Sequence, residues 1–304
     1  MKALFLDCND QLAPIFARVC RAGDPPIDVN MAPAAIAPAD LSRLLAGVAI
    51  ILDDHTYLPT EAIAQCRDLR HVVFLGTGAA SYMDIAALRE LGITVHTIKG
   101  YGDTAVAEHT VALIFACARD IAVMDREVRA GIWQTREGLQ LYGKTLGIVG
   151  LGGIGREVAR IARGIGMDVI AWNRTPRADA DIALVETLDT LLAQADIISL
   201  HLALNDETRG LIDAPRFACI KPGAILVNTA RGALVDEAAL IAALTSGRLR
   251  HAGLDVFHNE PLQPDHPLAK LPNVTLSAHA AFSTREASET LLRRAIDIVR
   301  TIAG

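Results

Sequence analysis

Four positions in this chain set polar side chains directly after runs that read as buried strands. His201 follows "DIISL", Thr229-Ala230-Arg231 follow "AILVN", Asp255 closes "AGLD", and Ala278-His279 follow "VTLS". Ligands of open parallel sheets bind beyond the carboxyl ends of the strands, so an arginine, a carboxylate and an imidazole would share one rim. Beside them stands "TLGIVGLGGIGREVARIA", with Gly150, Gly152 and Gly155 between an apolar strand and a helix. A second strand, Asp168 to Trp172, follows at the spacing of a βαβ unit, the context that makes a glycine fingerprint a dinucleotide site. There Gly150 allows the tight turn, Gly152 lets the backbone approach a pyrophosphate, and Gly155 lets helix and strand pack closely. Free amides at the helix N-terminus face the anion. A cation, an acid and a titratable base beside such a cradle make a reaction site.

Where the second strand stops, a carboxylate is expected to hold the adenosine ribose. The chain supplies Asn173, Arg174 and Thr175 instead, with Arg177 after Pro176. Asn173 keeps hydrogen bonding without negative charge, and Arg174 can pair with a phosphate as a fork. The corner therefore predicts NADP(H), with NAD as the alternative.

The elements that must position these groups alternate strand and helix throughout, the signature of a parallel α/β protein. The first part offers "KALFL", "VAIILDD", "HVVFLGTG" and "ITVHTI", with Thr60 as a candidate N-cap between the second and third. One long helix is expected from Ala105 to Ala130, stopped by Gly131. The second series of strands is "TLGIVG", "DVIAW", "DIISL", "AILVN", "AGLD" and "VTLS". Asp236 caps the helix after "AILVN" and Gly247 ends it. Ser283-Thr284-Arg285-Glu286 reads as a capping box opening a final amphipathic helix, expected to return to the first domain.

These residues resemble the D-isomer-specific 2-hydroxyacid dehydrogenases, over nearly the whole chain. The resemblance is carried by "GTGAASYMD", "AVAEH", "GKTLGIVGLGGIGREVA", "VNTARGALVDEAAL", "GLDVF" with Glu260-Pro261, and "SAHAAF". It implies a Rossmann dinucleotide-binding domain, residues 100–282, inserted into a flavodoxin-like substrate domain of residues 1–99 and 283–304. It also implies catalytic roles for Arg231, Glu260 and His279. Hydride transfer to a 2-oxo acid needs a proton donor at the carbonyl oxygen with a pKa near neutral, and imidazole ordinarily titrates near 6.5. Glu260, paired with the other ring nitrogen, would orient His279 and favour its protonated form. Arg231 would bind the substrate's carboxylate and carbonyl oxygens and polarise the C=O.

By the same resemblance the cofactor contacts extend to Gly153, Ile154, His201, Thr208, Thr229, Ala230 and Asp255, the last near the nicotinamide. His201 is expected to contribute more by its backbone than by its ring. Amides around Thr77, Gly78 and Ala79 would take the substrate carboxylate. Tyr82, Tyr101 and Phe282 would help wall the pocket. His109 is read as an interdomain structural residue. His55, His71, His96, His251, His258 and His266 are read as unpaired solvent or core residues. A homodimer through the nucleotide domain is expected.

Composition narrows the classes further. Charged residues are only 21% of the chain against 51% hydrophobic, and the net charge is −6, so no basic footprint for nucleic acid exists. No metal-ligand spacing appears. The longest apolar helical run, Val106 to Ala118, is too short to cross a bilayer. Five cysteines form no CxxC pair and sit mostly in apolar runs, which reads as buried reduced thiols in a cytoplasmic protein.

Three positions depart from the family's pattern: Ala278 and Ala203 stand where proline is usual, and Phe282 where a small residue is usual. The Gly76–Asp84 loop holds no Lys or Arg to meet a phosphorylated substrate. The expected activity is thus a glyoxylate- or hydroxypyruvate-type reductase. The alternatives are a D-3-phosphoglycerate dehydrogenase-like or phosphite-oxidising enzyme, and a dinucleotide-sensing corepressor-like protein without catalysis.

Overall fold

The structure is a computed structural model that describes residues 1–32, 36–175 and 182–304. The chain forms two compact units, Met1–Gly102 with Ser283–Gly304, and Asp103–Phe282.

In the first unit five strands alternate with short helices: β1 (Ala3–Cys8), α1 (Leu12–Val19), β2 (Ile27–Met31), α2 (Pro38–Leu44), β3 (Ile50–Asp53), α3 (Thr60–Ile63), β4 (His71–Phe74), α4 (Ile85–Glu90) and β5 (Thr94–Thr97). All pairings are parallel, in the order β2-β1-β3-β4-β5. This is the flavodoxin-like order. The central strands β1 and β3 are continuous apolar runs because helices cover both faces of the sheet. One face packs on Leu41, Leu58, Ile63 and Leu88, and the other on Phe16, Leu291, Leu292 and Ile296.

Leu291, Leu292 and Ile296 belong to the C-terminal helix, which thus joins the first unit as expected. Its N-cap is Thr284, whose Oγ1 accepts from Ala287 N at 3.2 Å, one residue later than the predicted box. Pro59 rather than Thr60 flanks α3, with no side-chain cap. β2, "IDVNM", is absent from the sequence reading because an edge strand exposed at Val29 and Met31 lacks the apolar run of a buried one.

In the second unit the order of elements is α5 (Asp103–Ala118), α6 (Ile121–Arg129), β6 (Thr145–Val149), α7 (Gly153–Gly164), β7 (Asp168–Trp172), β8 (Ala183–Leu184), α8 (Leu188–Gln194), β9 (Ile197–Leu200), α9 (Ala214–Cys219), β10 (Ala224–Asn228), α10 (Glu237–Thr245), β11 (Leu249–Leu254), α11 (Pro267–Lys270) and β12 (Val274–Leu276). Its sheet runs β12-β11-β10-β9-β6-β7-β8, with every pair parallel. Strand order reverses between β6 and β9, the switch point at which a Rossmann sheet takes its ligand. The C-terminal helix α12 (Arg285–Ala303) follows in the chain.

The single helix expected from 105 to 130 is two. Asp120 breaks it in the left-handed region, φ 52°, and its carboxylate is held by Arg250 Nη2 at 3.2 Å and His251 Nδ1 at 3.3 Å. Both partners lie on β11, remote in sequence, so no local pattern announces the break. Asp236 caps α10 through Ala239 N at 2.9 Å, as predicted.

Candidate active site

The glycine-rich turn joins β6 to α7. Gly150 has φ +102°, and a Cβ there would stand 2.6 Å from the His201 carbonyl oxygen, so only glycine fits. Its N–H donates to Trp172 O at 2.9 Å. A Cβ on Gly152 would meet nothing within 4 Å, which leaves open ground in front of the α7 amides. Gly155 packs on the Gly150 carbonyl, and Gly153 faces the Asp103 carboxylate at the start of α5. Ile154 turns into the core beneath. A backbone cradle with free space at a helix N-terminus suits a pyrophosphate.

At the end of β7, Asn173 Oδ1 accepts from Leu151 N at 2.7 Å, so this side chain braces the turn itself. Its amide group remains for a ligand acceptor, an offer a carboxylate could not make. Arg174 forms an ion pair with Glu207, both side chains largely exposed. Thr175 is exposed, and Arg177 lies outside the described residues.

Two hydroxyls expected at the cofactor are engaged within the chain. Thr208 Oγ1 donates to Ala203 O at 2.8 Å, and Thr229 Oγ1 pairs with Thr110 Oγ1 at 2.9 Å. His201 Nε2 pairs with Ser199 Oγ at 2.8 Å, and burial pushes the ring's pKa down to about 4. The ring is neutral at pH 7, and the backbone of His201 walls the glycine turn.

The acid–base pair is made on two loops of this unit. His279 Nδ1 lies 2.6 Å from Glu260 Oε2, and Glu260 Oε1 accepts from Phe257 N at 2.9 Å. His279 is held at φ 49°, a conformation that costs a non-glycine residue about 1–3 kcal/mol unless its surroundings impose it. Asp255 imposes it. Its carbonyl accepts from His279 N at 2.8 Å, and its carboxylate accepts from Ala280 N and Ala281 N, both at 2.9 Å, and from Ser277 Oγ at 2.6 Å. His109 Nε2 stands behind, 2.9 Å from Ser277 Oγ and 3.5 Å from Asp255. Burial of Asp255 favours its neutral form, but these donors outweigh it and hold the carboxyl below the usual range. His109, expected between domains, makes these bonds inside the second unit.

Arg231 follows β10 and is half-buried, with Nη1 donating to Ala230 O at 2.7 Å. The turn that carries it is clamped by Asn228, which accepts from Ala230 N at 3.0 Å and donates to Arg231 O at 2.9 Å. Gly232 presses on the backbone of Phe257 and His258, where a Cβ would stand 2.6 Å from His258 N. The arginine turn and the segment leading to Glu260 are thus in backbone contact. Sequence reading missed Asn228, Ser277 and Gly232. The available signal was a polar residue ending an otherwise apolar strand.

The ring of Phe282 meets that of His279 edge-on, centroids 6.2 Å apart. In the first unit, Thr77 and Gly78 lead from β4 into a short turn at Ala79–Ser81, with Ala79 buried. Tyr101 packs against the core beneath α12.

The family model for the NAD-binding domain of D-isomer specific 2-hydroxyacid dehydrogenases matches residues 111–281, a span that includes the cradle, Arg231, Glu260 and His279. The chain belongs to this family. It is therefore a hydroxyacid oxidoreductase with a nicotinamide dinucleotide cofactor. A glyoxylate reductase of Aeropyrum pernix is 42% identical over 248 residues, which cover 78% of this chain and 73% of the relative. A D-3-phosphoglycerate dehydrogenase of Archaeoglobus fulgidus is 40% identical over 79% of this chain, and the match spans 46% of that relative's length. Among solved structures, the TT0316 protein of Thermus thermophilus superposes with a TM-score of 0.89 at 34% identity, covering 100% of this chain and 97% of that one.

The remaining histidines of this dehydrogenase correct the sequence reading, because each has a partner. His251 pairs with Asp120 and with Thr275 Oγ1 at 3.0 Å, and His71 with His96 at 3.2 Å. His258 meets Val235 O at 2.8 Å, His266 meets Glu237 at 3.2 Å, and His55 meets Asp54 at 2.8 Å. All five cysteines are free, but Cys20 and Cys219 are exposed rather than buried. No helix among the described residues is long and apolar enough to cross a membrane, and none of their acidic, His and Cys groups forms a metal cluster.

Proposed function

We propose that the chain moves a hydride between NADP(H) and a small unphosphorylated 2-oxo acid, as a glyoxylate- or hydroxypyruvate-type reductase. The observation that carries this reading is the 2.6 Å contact between His279 Nδ1 and Glu260, because it leaves Nε2 for a substrate oxygen. The dinucleotide supplies the hydride when bound. His279 holds the proton destined for the carbonyl oxygen, and Glu260 fixes the ring and stabilises its charge. Arg231 binds the oxo-acid oxygens and polarises the carbonyl, while the amides at Thr77, Gly78 and Ala79 receive the carboxylate.

NADP(H) is favoured because β7 ends without an acid. The Asn173 amide group and the Arg174 guanidinium both donate, as a 2′-phosphate requires, and Arg174 would exchange Glu207 for that phosphate. A homodimer through the second unit is supported by an exposed apolar surface that includes Ile121, Val128, Ile132 and Trp133. The same unit carries a groove of about 400 Å³ lined by Phe115, Arg119, Leu139, Gln140, Tyr142 and Ile165 among others. A reduced cytoplasmic setting fits five free thiols.

The test is oxidation of NADPH and NADH followed at 340 nm with glyoxylate, hydroxypyruvate and pyruvate. Replacement His279→Ala should lower kcat by about 10²–10⁴, the usual worth of general acid catalysis, with cofactor binding intact. Tight dinucleotide binding without turnover of any 2-oxo acid would sink the enzyme reading in favour of a sensor.

A further inference from the structure

In the first unit β3 and β4 are neighbours, with Asp53 in register with Phe74, so the segments that follow them leave the same edge of the sheet. One is the turn from Gly76 to Asp84. The other, Asp54 to Leu58, is fastened to it: Leu58 N donates to Tyr82 O at 2.9 Å. The His55 ring meets the Tyr82 ring edge-on, centroids 5.5 Å apart, and Tyr82 lies against Phe74.

The position of His55 is set from below as well. Asp7, near the end of β1, accepts from the amides of Asp54, His55 and Thr56 at 2.9, 2.8 and 2.9 Å, and from the Thr56 hydroxyl at 2.8 Å. Asp54 Oδ2 accepts from His55 Nδ1 at 2.8 Å, and this bond raises the imidazole's pKa against the opposing effect of burial. Nε2 has no hydrogen-bond partner among the described residues, and the side chain is 57% exposed. A rigidly mounted Nε2 therefore faces outward beside Tyr82, the residue that closes the Ala79–Ser81 turn.

The geometry points to His55 as a specificity-determining residue whose Nε2 hydrogen-bonds a C3 hydroxyl of the substrate, which narrows the substrate class to 3-hydroxy-2-oxo acids. The inference rests on the proposed function, in which the same molecule sets its C1 carboxylate on the 77–79 amides. Glyoxylate and pyruvate offer no oxygen at that place and leave Nε2 without a substrate partner, and a site built around a polar contact discriminates strongly against analogues that lack it. Charge selects a hydroxyl over a phosphate or sulfonate. Asp54 and Asp7 set two carboxylates around His55, and Asp53, wholly buried with neither carboxyl oxygen hydrogen-bonded, is pushed well above the usual carboxylate range by burial and by those two acids. The balance around His55 is thus negative, which opposes a second anion.

The experiment compares kcat/KM for hydroxypyruvate and pyruvate in the full chain, its His55→Phe variant and its His55→Gln variant, with the preferred reduced cofactor. In His55→Phe the hydroxypyruvate-to-pyruvate ratio should fall about tenfold, the worth of one hydrogen bond. The change should lie mainly in KM, with pyruvate turnover within about threefold of wild type as the check on folding. His55→Gln, which keeps an N–H donor, should restore most of the ratio. An unchanged ratio in His55→Phe, or an equal loss for both substrates in both variants, overturns the assignment while leaving the proposed function standing. A wild-type chain inactive on both substrates overturns the proposed function and this inference with it.

Discussion

Asp255 offers the sharpest test of how the histidine is held. Its carboxylate takes Ser277 Oγ at 2.6 Å and the amides of Ala280 and Ala281 at 2.9 Å, in a fully buried position. Asp255→Asn preserves shape but turns one acceptor oxygen into a donor, so at least one of these three contacts is lost. A hydrogen bond to a charged group contributes about 1.5–3 kcal/mol. The same bonds sustain the left-handed His279 backbone, whose own cost is about 1–3 kcal/mol. The expected result is a kcat lower by about tenfold to hundredfold, with KM and the dinucleotide Kd within about twofold.

Stability should also fall. A loss of about 2 kcal/mol lowers Tm by about 4–8 °C in a unit of this size. The pH dependence has a definite sign: Asp255 titrates below its ordinary value in the folded chain. Its contribution is complete at neutral pH and is lost as pH falls below about 4 and through the depressed folded pKa. The wild-type advantage over Asp255→Asn should therefore shrink in acid. Calorimetry across pH and steady-state kinetics at pH 7 measure the two halves. A full drop in Tm with kcat unchanged would refute the claim that Asp255 orients His279.

Two further perturbations address the cofactor. Gly150→Ala forces a Cβ to 2.6 Å from the His201 carbonyl at φ +102°, so dinucleotide affinity measured by fluorescence titration should collapse and Tm should fall. A variant with near-native affinity would show that the turn is not the cradle. Arg174→Ala should weaken NADPH about tenfold, the lower end for a charge-assisted pair at an exposed site, with NADH within about twofold. Equal losses for both cofactors would argue against NADP(H).

Much of this architecture is legible along the chain because the signals are local. Strands buried on both faces must be continuous apolar runs, so β1, β3, β6 and β10 stand out, whereas the edge strands β2 and β8 do not. The helix break at Asp120 is invisible for a different reason: the groups that stabilise it, Arg250 and His251, are 130 and 131 residues away along the chain. The six histidines read as unpaired fail in the same way, since each partner depends on packing or on which face a side chain takes.

The sequence by itself determined the chemical inventory and its order: a glycine turn before a helix, an Arg–Glu–His series, and a corner with cations where an acid would stand. Those features depend on residue type and spacing, which the chain states directly. Tertiary structure alone decided how the inventory is held. Asp255 anchors the His279 loop, Asn228 clamps the Arg231 turn, Thr208 and Thr229 spend their hydroxyls inside the chain, and Arg174 rests on Glu207. The physical reason is that a hydrogen bond or ion pair is a property of two groups brought within about 3 Å, and distance in space is what a linear sequence does not carry.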